Sequence, residues 1–143
     1  MPQLHPYLNF NGNCEEAFNH YRKIFGGEFQ VFSRFSEMPP DNSFPLSDED
    51  LKNVMHVSLP ISNESVLMGS DQPAGMGQVQ QGNAISISIG VDTEADADRV
   101  FTGLSEGGNI IMPLARTFWN SYFGMCEDRF GIQWMVSHDY SGD

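Results

Sequence analysis

The chain has few basic residues, almost no cysteine and no long apolar run. Its 143 residues hold 7 Lys+Arg against 19 Asp+Glu, a formal net charge of −12. Neutralising phosphates needs clustered Lys and Arg, so this balance argues against nucleic acid as a partner. It argues equally against an anionic membrane surface. It suits a cationic partner, although its simplest consequence is solubility. A transmembrane helix needs about 18 or more consecutive apolar residues, and the chain has no such run. Met1-Pro2-Gln3-Leu4-His5-Pro6 offers neither a basic segment nor an apolar stretch, so no secretory signal is expected. Two cysteines, Cys14 and Cys126, make no disulfide framework, and a cytoplasmic location is expected. Cys14 falls in a first helical turn beside Glu15 and Glu16, which oppose a thiolate and mark it as structural. Cys126-Glu127-Asp128 has no activating partner nearby in the sequence.

What is present is enough for one core. Hydrophobic residues make up 40% of the chain, and this length suits a single domain over 1–143. Residues 4–10 read as a strand with Leu4, Leu8 and Phe10 on one face and His5, Tyr7 and Asn9 on the other. Asn13 reads as an N-cap, with Glu16 completing a capping box. Ala17, Phe18, Tyr21, Ile24 and Phe25 give a helical apolar stripe that Gly26-Gly27 ends. Strands follow at 28–37, 54–60 and 65–70. Between them the Pro-rich, acidic residues 38–53 (Met38-Pro39-Pro40-Asp41-Asn42 through Asp48-Glu49-Asp50) read as a mobile loop. Met55, Val57 and Leu59 point to the core, with His56 and Ser58 opposite. Residues 72–83 read as a flexible linker.

The plan then repeats. Residues 84–91 set Ile85, Ile87 and Ile89 against Ser86 and Ser88. A helix over 93–106 buries Ala97, Val100, Phe101 and Leu104, and Gly107-Gly108 ends it. Strands are expected at 109–117, 121–128 and 132–138. Ala17, Tyr21, Ile24 and Gly27 match Ala97, Phe101, Leu104 and Gly107 at a spacing of 80. Leu67-Met68-Gly69-Ser70 matches Trp134-Met135-Val136-Ser137 at a spacing of 67. The expectation is an α+β fold of two tandem βαβββ modules, about 1–71 and 84–143, forming a curved sheet around a cavity. Such a duplication with a Ser-lined strand face points to a pocket.

The duplicated plan resembles the vicinal-oxygen-chelate superfamily: glyoxalase I, extradiol dioxygenases, and bleomycin- and fosfomycin-resistance proteins. Particular segments resemble its PhnB-like branch, which carries the label 3-demethylubiquinone methyltransferase-like. They are Pro6-Tyr7-Leu8-Asn9-Phe10-Asn11-Gly12, Cys14-Glu15-Glu16-Ala17, Tyr21, Phe25-Gly26-Gly27, Met55-His56-Val57, Thr117-Phe118-Trp119 and Phe123-Gly124. The longest is Asp128-Arg129-Phe130-Gly131-Ile132-Gln133-Trp134-Met135. The resemblance implies the glyoxalase/bleomycin resistance fold and a homodimer with sheets side by side. It also implies one divalent metal held by His, Glu or Gln on the first and last strands of each module. Counting on from Gly131 places Met135 at one of those positions, and the repeat places Met68 at another. The third falls at about Ser86. The fourth falls at Pro6, His5 or Tyr7, and only His5 is an ordinary ligand. Thioethers and a neutral hydroxyl are poor ligands for Mn²⁺, Fe²⁺, Ni²⁺ or Zn²⁺, so no metal and no other cofactor are expected. No glycine-rich strand-to-helix turn of the nucleotide-binding kind supports methyl transfer.

The candidate ligand-binding residues are Tyr7, His56, Ser58, Met68, Ser86, Ser88, Trp119, Tyr122, Phe123, Gln133 and Met135. His56 is the candidate acid/base group, or alternatively a half-buried imidazole bonded to a sheet neighbour. Trp119, Tyr122 and Phe123 read as an aromatic ligand wall, or as core or dimer contacts. Met68 and Met135 are placed on the cavity floor as soft, polarizable side chains. The acidic residues 48–50, 15–16, 94, 96 and 98 read as surface positions, leaving the cavity face with almost no carboxylate. The functional expectation is a small-molecule-binding protein without the superfamily metal. The alternatives are a metal-dependent glyoxalase- or dioxygenase-type lyase or isomerase, and a metal-free enzyme using His56.

Overall fold

The computed structural model describes residues 2–39 and 45–140. Pro40, Asp41 and Asn42 of the expected acidic loop lie outside the described residues. The chain divides into two compact units, Met1–Gln80 and Gln81–Asp143. The division falls inside the segment read as a linker. Among the described residues no helix is long and apolar enough to cross a membrane.

The first unit runs β1 (Tyr7–Phe10), α1 (Cys14–Phe25), β2 (Val31–Arg34), α2 (Asp48–Lys52), β3 (Val54–Pro60) and β4 (Val66–Asp71). Its sheet has the order β1-β4-β3-β2, with β1 parallel to β4 and the other pairs antiparallel. Helix α1 lies on one face, burying Cys14, Ala17, Phe18, Tyr21 and Ile24. It meets Leu8, Phe10, Val57, Leu59 and Leu67, the alternate residues of three strands. Phe18 packs edge-on against Phe10 and Tyr21, with ring centres 6.2 and 5.4 Å away. Gly69 lies under that ring. A Cβ there would stand 2.6 Å from Phe18 Cε1 and 2.8 Å from the Leu8 carbonyl oxygen.

The second unit repeats the plan: β5 (Ile87–Gly90), α3 (Glu94–Ser105), β6 (Asn109–Arg116), β7 (Ser121–Glu127) and β8 (Gln133–Asp139). Its sheet order, β5-β8-β7-β6, again has one parallel pair. Helix α3 buries Ala97, Val100, Phe101 and Leu104, the stripe expected from the sequence. Gly124 lies under Phe101 as Gly69 lies under Phe18. The fold is therefore α+β, built from two βαβββ units with four-stranded sheets.

Several local expectations are corrected. Leu4 is 98% exposed and outside β1, because β1 pairs only where β4 runs beside it, Tyr7 with Met68 to Phe10 with Asp71. The strands expected at 28–37 and 84–91 shorten to Val31–Arg34 and Ile87–Gly90, both edge strands with one pairing partner. The register shift beside Ser33 and Arg34 pairs Arg34 with Val54 and leaves Met55 unpaired, so Val54 rather than Met55 is buried. Phe25 ends half-buried.

Asn13 precedes α1, but its side chain makes no cap hydrogen bond. The buried Asp71 carboxylate takes over that role. Its Oδ1 accepts from the backbone N–H of Gly12 and Cys14, each at 2.9 Å, and its Oδ2 from Val54 at 2.9 Å. The stretch 48–52, expected as loop, is α2. Ser47 Oγ accepts from the Asp50 N–H and Asp50 Oδ2 accepts from the Ser47 N–H, both at 3.0 Å. Asp50 is buried, not a surface residue, and its other oxygen accepts from Ala74 N–H at 3.1 Å. These backbone bonds hold its carboxyl below the usual range. The expected linker is also partly ordered. Asn11 bonds Val79 through both its amide groups, at 3.1 and 2.8 Å.

Candidate functional site

With α1 covering one face of the first sheet, the opposite face is assembled by register alone. Tyr7 is level with Met68, Met68 with Ser58, and Ser58 with Val31. The adjacent residues on this face are Asn9 paired with Ser70 and His56 paired with Ser33. Tyr7, His56, Ser58 and Met68, all named from the sequence, thus come together.

The pairing of Tyr7 with His56 is direct. The Tyr7 hydroxyl lies 3.2 Å from His56 Nδ1, and the two rings stack with centres 5.6 Å apart and planes inclined by 22°. A phenol is the better donor and an imidazole nitrogen the better acceptor. The favoured neutral arrangement has Tyr7 donating to Nδ1, so that the proton of His56 sits on Nε2. Ser58 is only 4% exposed, and its Oγ has no hydrogen-bond partner among the described residues. An unpaired buried hydroxyl costs about 1–3 kcal/mol.

The second sheet presents a different face away from α3. Ser88, Met135, Met125 and Met112 are level across its four strands. A second row holds Gln133, Glu127 and Asn109, and a third holds Ser137, Phe123 and Ala115. Ser86 precedes β5, and its Oγ lies 3.5 Å from Gln133 Oε1. Trp119 sits in the β6–β7 turn, 53% exposed, with its ring centre 5.8 Å from that of Phe123. Tyr122 does not join them. Strand alternation turns it to the other face, where its hydroxyl donates to Asp98 Oδ1 at 2.6 Å, a bond that pushes its pKa up to about 12. The reading of this face as almost free of carboxylate is also corrected. Glu127 accepts from Asn109 at 3.3 Å, and Asp139 bonds Ser121.

The superfamily metal can now be tested against its positions. The register sets Tyr7 beside Met68 and Ser88, not Ser86, beside Met135. His5 lies outside β1 and its Nδ1 accepts from the Val66 N–H at 3.4 Å. Neither the phenol and thioether of the first unit nor the hydroxyl and thioether of the second are donors that fit a hard or borderline divalent ion. Among the described residues no three His, Cys, Asp or Glu side chains group for a metal.

Sequence reasoning missed the two buried carboxylates that brace these faces. Besides Asp71, Asp128 accepts from Phe130 and Ile132 N–H through Oδ1, at 2.9 and 3.0 Å, and from Trp134 Nε1 through Oδ2 at 2.9 Å. The stretch Asp128 to Met135 is therefore a self-bonded turn over residues 128–132 that runs directly into β8. Both cysteines are free and buried. Burial pushes the Cys126 thiol up to about 11 and Cys14 in the same direction.

The comparisons with known proteins agree with this architecture. The family model described as 3-demethylubiquinone-9 3-methyltransferase matches residues 2–137. The chain belongs to that family. Protein PA1353 from Pseudomonas aeruginosa is 39% identical, with a TM-score of 0.85 over 97% of this chain and 98% of that one. A Bacillus cereus structure described as a putative 3-demethylubiquinone-9 3-methyltransferase, PhnB protein, is 27% identical, with a TM-score of 0.73 over 96% and 99% of the two chains. This places the chain in the PhnB-like branch. A glyoxylase/bleomycin resistance protein/dioxygenase domain from Frankia sp. EAN1pec shares the fold, with a TM-score of 0.66 at 12% identity over 98% of each chain.

Proposed function

We propose that this PhnB-like protein binds a small molecule carrying an acceptor oxygen, a carbonyl or carboxylate, on the first sheet's face away from α1. The observation that supports it is the unpartnered, buried Ser58 hydroxyl on the same face as an imidazole held by Tyr7. His56 Nε2–H is then one donor for an acceptor, and Ser58 Oγ–H becomes a second when a ligand displaces the atoms that enclose it, while Met68 and Val31 in the same row supply apolar contact. The family description names a methyltransferase, and that activity is not part of this proposal. The strand-to-helix turns here are Asn11-Gly12-Asn13 and Val91-Asp92-Thr93, neither glycine-rich, and Asp71 already occupies the start of α1.

The test is a ligand-observed NMR screen of small carboxylates and ketones against a matched set of amines. Binding concentrated among the carboxylates and ketones, and lost in Ser58→Ala and His56→Ala, supports the proposal. Equal binding of amines, or hits indifferent to both substitutions, overturns it. The same fixed ring favours a second reading, in which the neutral His56 Nε2–H hydrogen-bonds the carbonyl oxygen as it gains charge during enolisation, while solvent water takes the α-proton and later returns one to the carbon. That reading requires bound ketones to exchange α-hydrogen for deuterium in heavy water, and to stop doing so in His56→Ala.

A further inference from the structure

The chain has eight methionines, and three of them occupy one cross-strand row of the second sheet. Met112 on β6 pairs with Met125 on β7, which pairs with Met135 on β8. Residues directly opposite on neighbouring strands have Cβ atoms roughly 4.5–5.5 Å apart, within reach for side chains with three rotatable bonds. Met125 and Met135 point away from α3, since the alternate residues Cys126, Trp134 and Val136 are buried on its side, and Met112, between two register shifts of β6, joins them by its pairing with Met125. Met112 is 47% exposed on the edge strand, and Met125 and Met135 are half-buried, so the row is open at one end and lined further in.

We infer that Met112, Met125 and Met135 form a site for a soft monovalent metal ion, Cu(I) or its chemical analogue Ag(I). Three thioethers, with no carboxylate or imidazole in their row, are the donor set that selects such ions and rejects hard divalent ones. The carboxylate one row away, Glu127, accepts from Asn109. Cys126 follows Met125 in the chain but is fully buried on the opposite face, so the thiol does not complete the site. Of these three, only Met135 also stands at a position of the superfamily's divalent metal. This inference stands apart from the His56 proposal, since none of its residues belongs to the first unit.

The test uses the full chain with ¹³C-methyl-labelled methionine, titrated with silver nitrate in chloride-free buffer. One equivalent is expected to shift the methyl signals of Met112, Met125 and Met135 before that of Met76, which is exposed and unpaired with any strand. Met125→Leu keeps the apolar volume and is expected to lower affinity at least tenfold, measured for Cu(I) by competition with a chromogenic chelator. The proposal is overturned if Met76 shifts at the same silver concentration, or if Met125→Leu binds as the wild type does. It is also overturned if binding survives Met125→Leu and disappears in Cys126→Ser.

Discussion

The Tyr7 hydroxyl lies 3.2 Å from Nδ1 of His56, with the two rings stacked. This one contact holds the plane of the imidazole and engages Nδ1, leaving Nε2 as the ring nitrogen turned away from Tyr7. Long-range ¹H–¹⁵N spectra recorded above the imidazole titration are expected to show His56 protonated at Nε2. In Tyr7→Phe the preference is expected to weaken into a mixture of tautomers. A spectrum showing Nδ1–H in the wild type contradicts the donor assignment, whatever the chain binds.

Ser58 separates stability from binding. Its hydroxyl is buried without a partner, so Ser58→Ala removes a cost and not a bond. Ser58→Ala is expected to be neutral, or up to about 1 kcal/mol more stable in urea unfolding, while binding fails. A loss of 2 kcal/mol or more, on the order of a broken buried bond, would show that the hydroxyl serves the fold.

Asp71 joins three segments through three backbone N–H groups. Asp71→Asn keeps an acceptor for Gly12 and Cys14 but turns an amide N–H toward that of Val54. It is expected to cost about 1–3 kcal/mol, read by urea unfolding. An unchanged unfolding midpoint would contradict the bracing role given to this carboxylate.

The buried thiols give an alkaline signature. Burial pushes Cys126 from the ordinary 9.0 up to about 11, and Cys14 upward for the same reason. Above pH 9 the unfolded chain releases protons that the folded chain keeps, so stability falls as the pH rises toward 11. Below pH 8 the thiols add no slope. Unfolding measured at pH 8 and pH 10 is expected to show this loss, and Cys14→Ala/Cys126→Ala to reduce it. An equal loss in the double variant would assign it to other groups.

Much of the fold was legible because it follows periodicity. The α3 stripe Ala97, Val100, Phe101 and Leu104 is buried as read, and the repeat of Met68 in Met135 is upheld by strand register. Alternation alone put His56 and Ser58 on one face. What the sequence concealed depends on distant partners. Nothing local to Asp71 says that it will cap α1, 57 residues away, in place of Asn13. Nor does any local pattern mark the register shift that moves burial from Met55 to Val54. Tyr122 is the instructive case. Its neighbours Trp119 and Phe123 meet, but the strand's period of two sends Tyr122 to α3. The same period, carried from Phe123 to Met125, was the available signal for the methionine row.

The most direct measurement of the central proposal is a residue-resolved NMR titration with a carboxylate or ketone found in the screen. It follows the His56 imidazole and the Met68 methyl together. The expected result is saturable shifts at both groups with one dissociation constant, abolished in Ser58→Ala. Shifts confined to other residues, with His56 and Met68 unmoved at saturation, would contradict it.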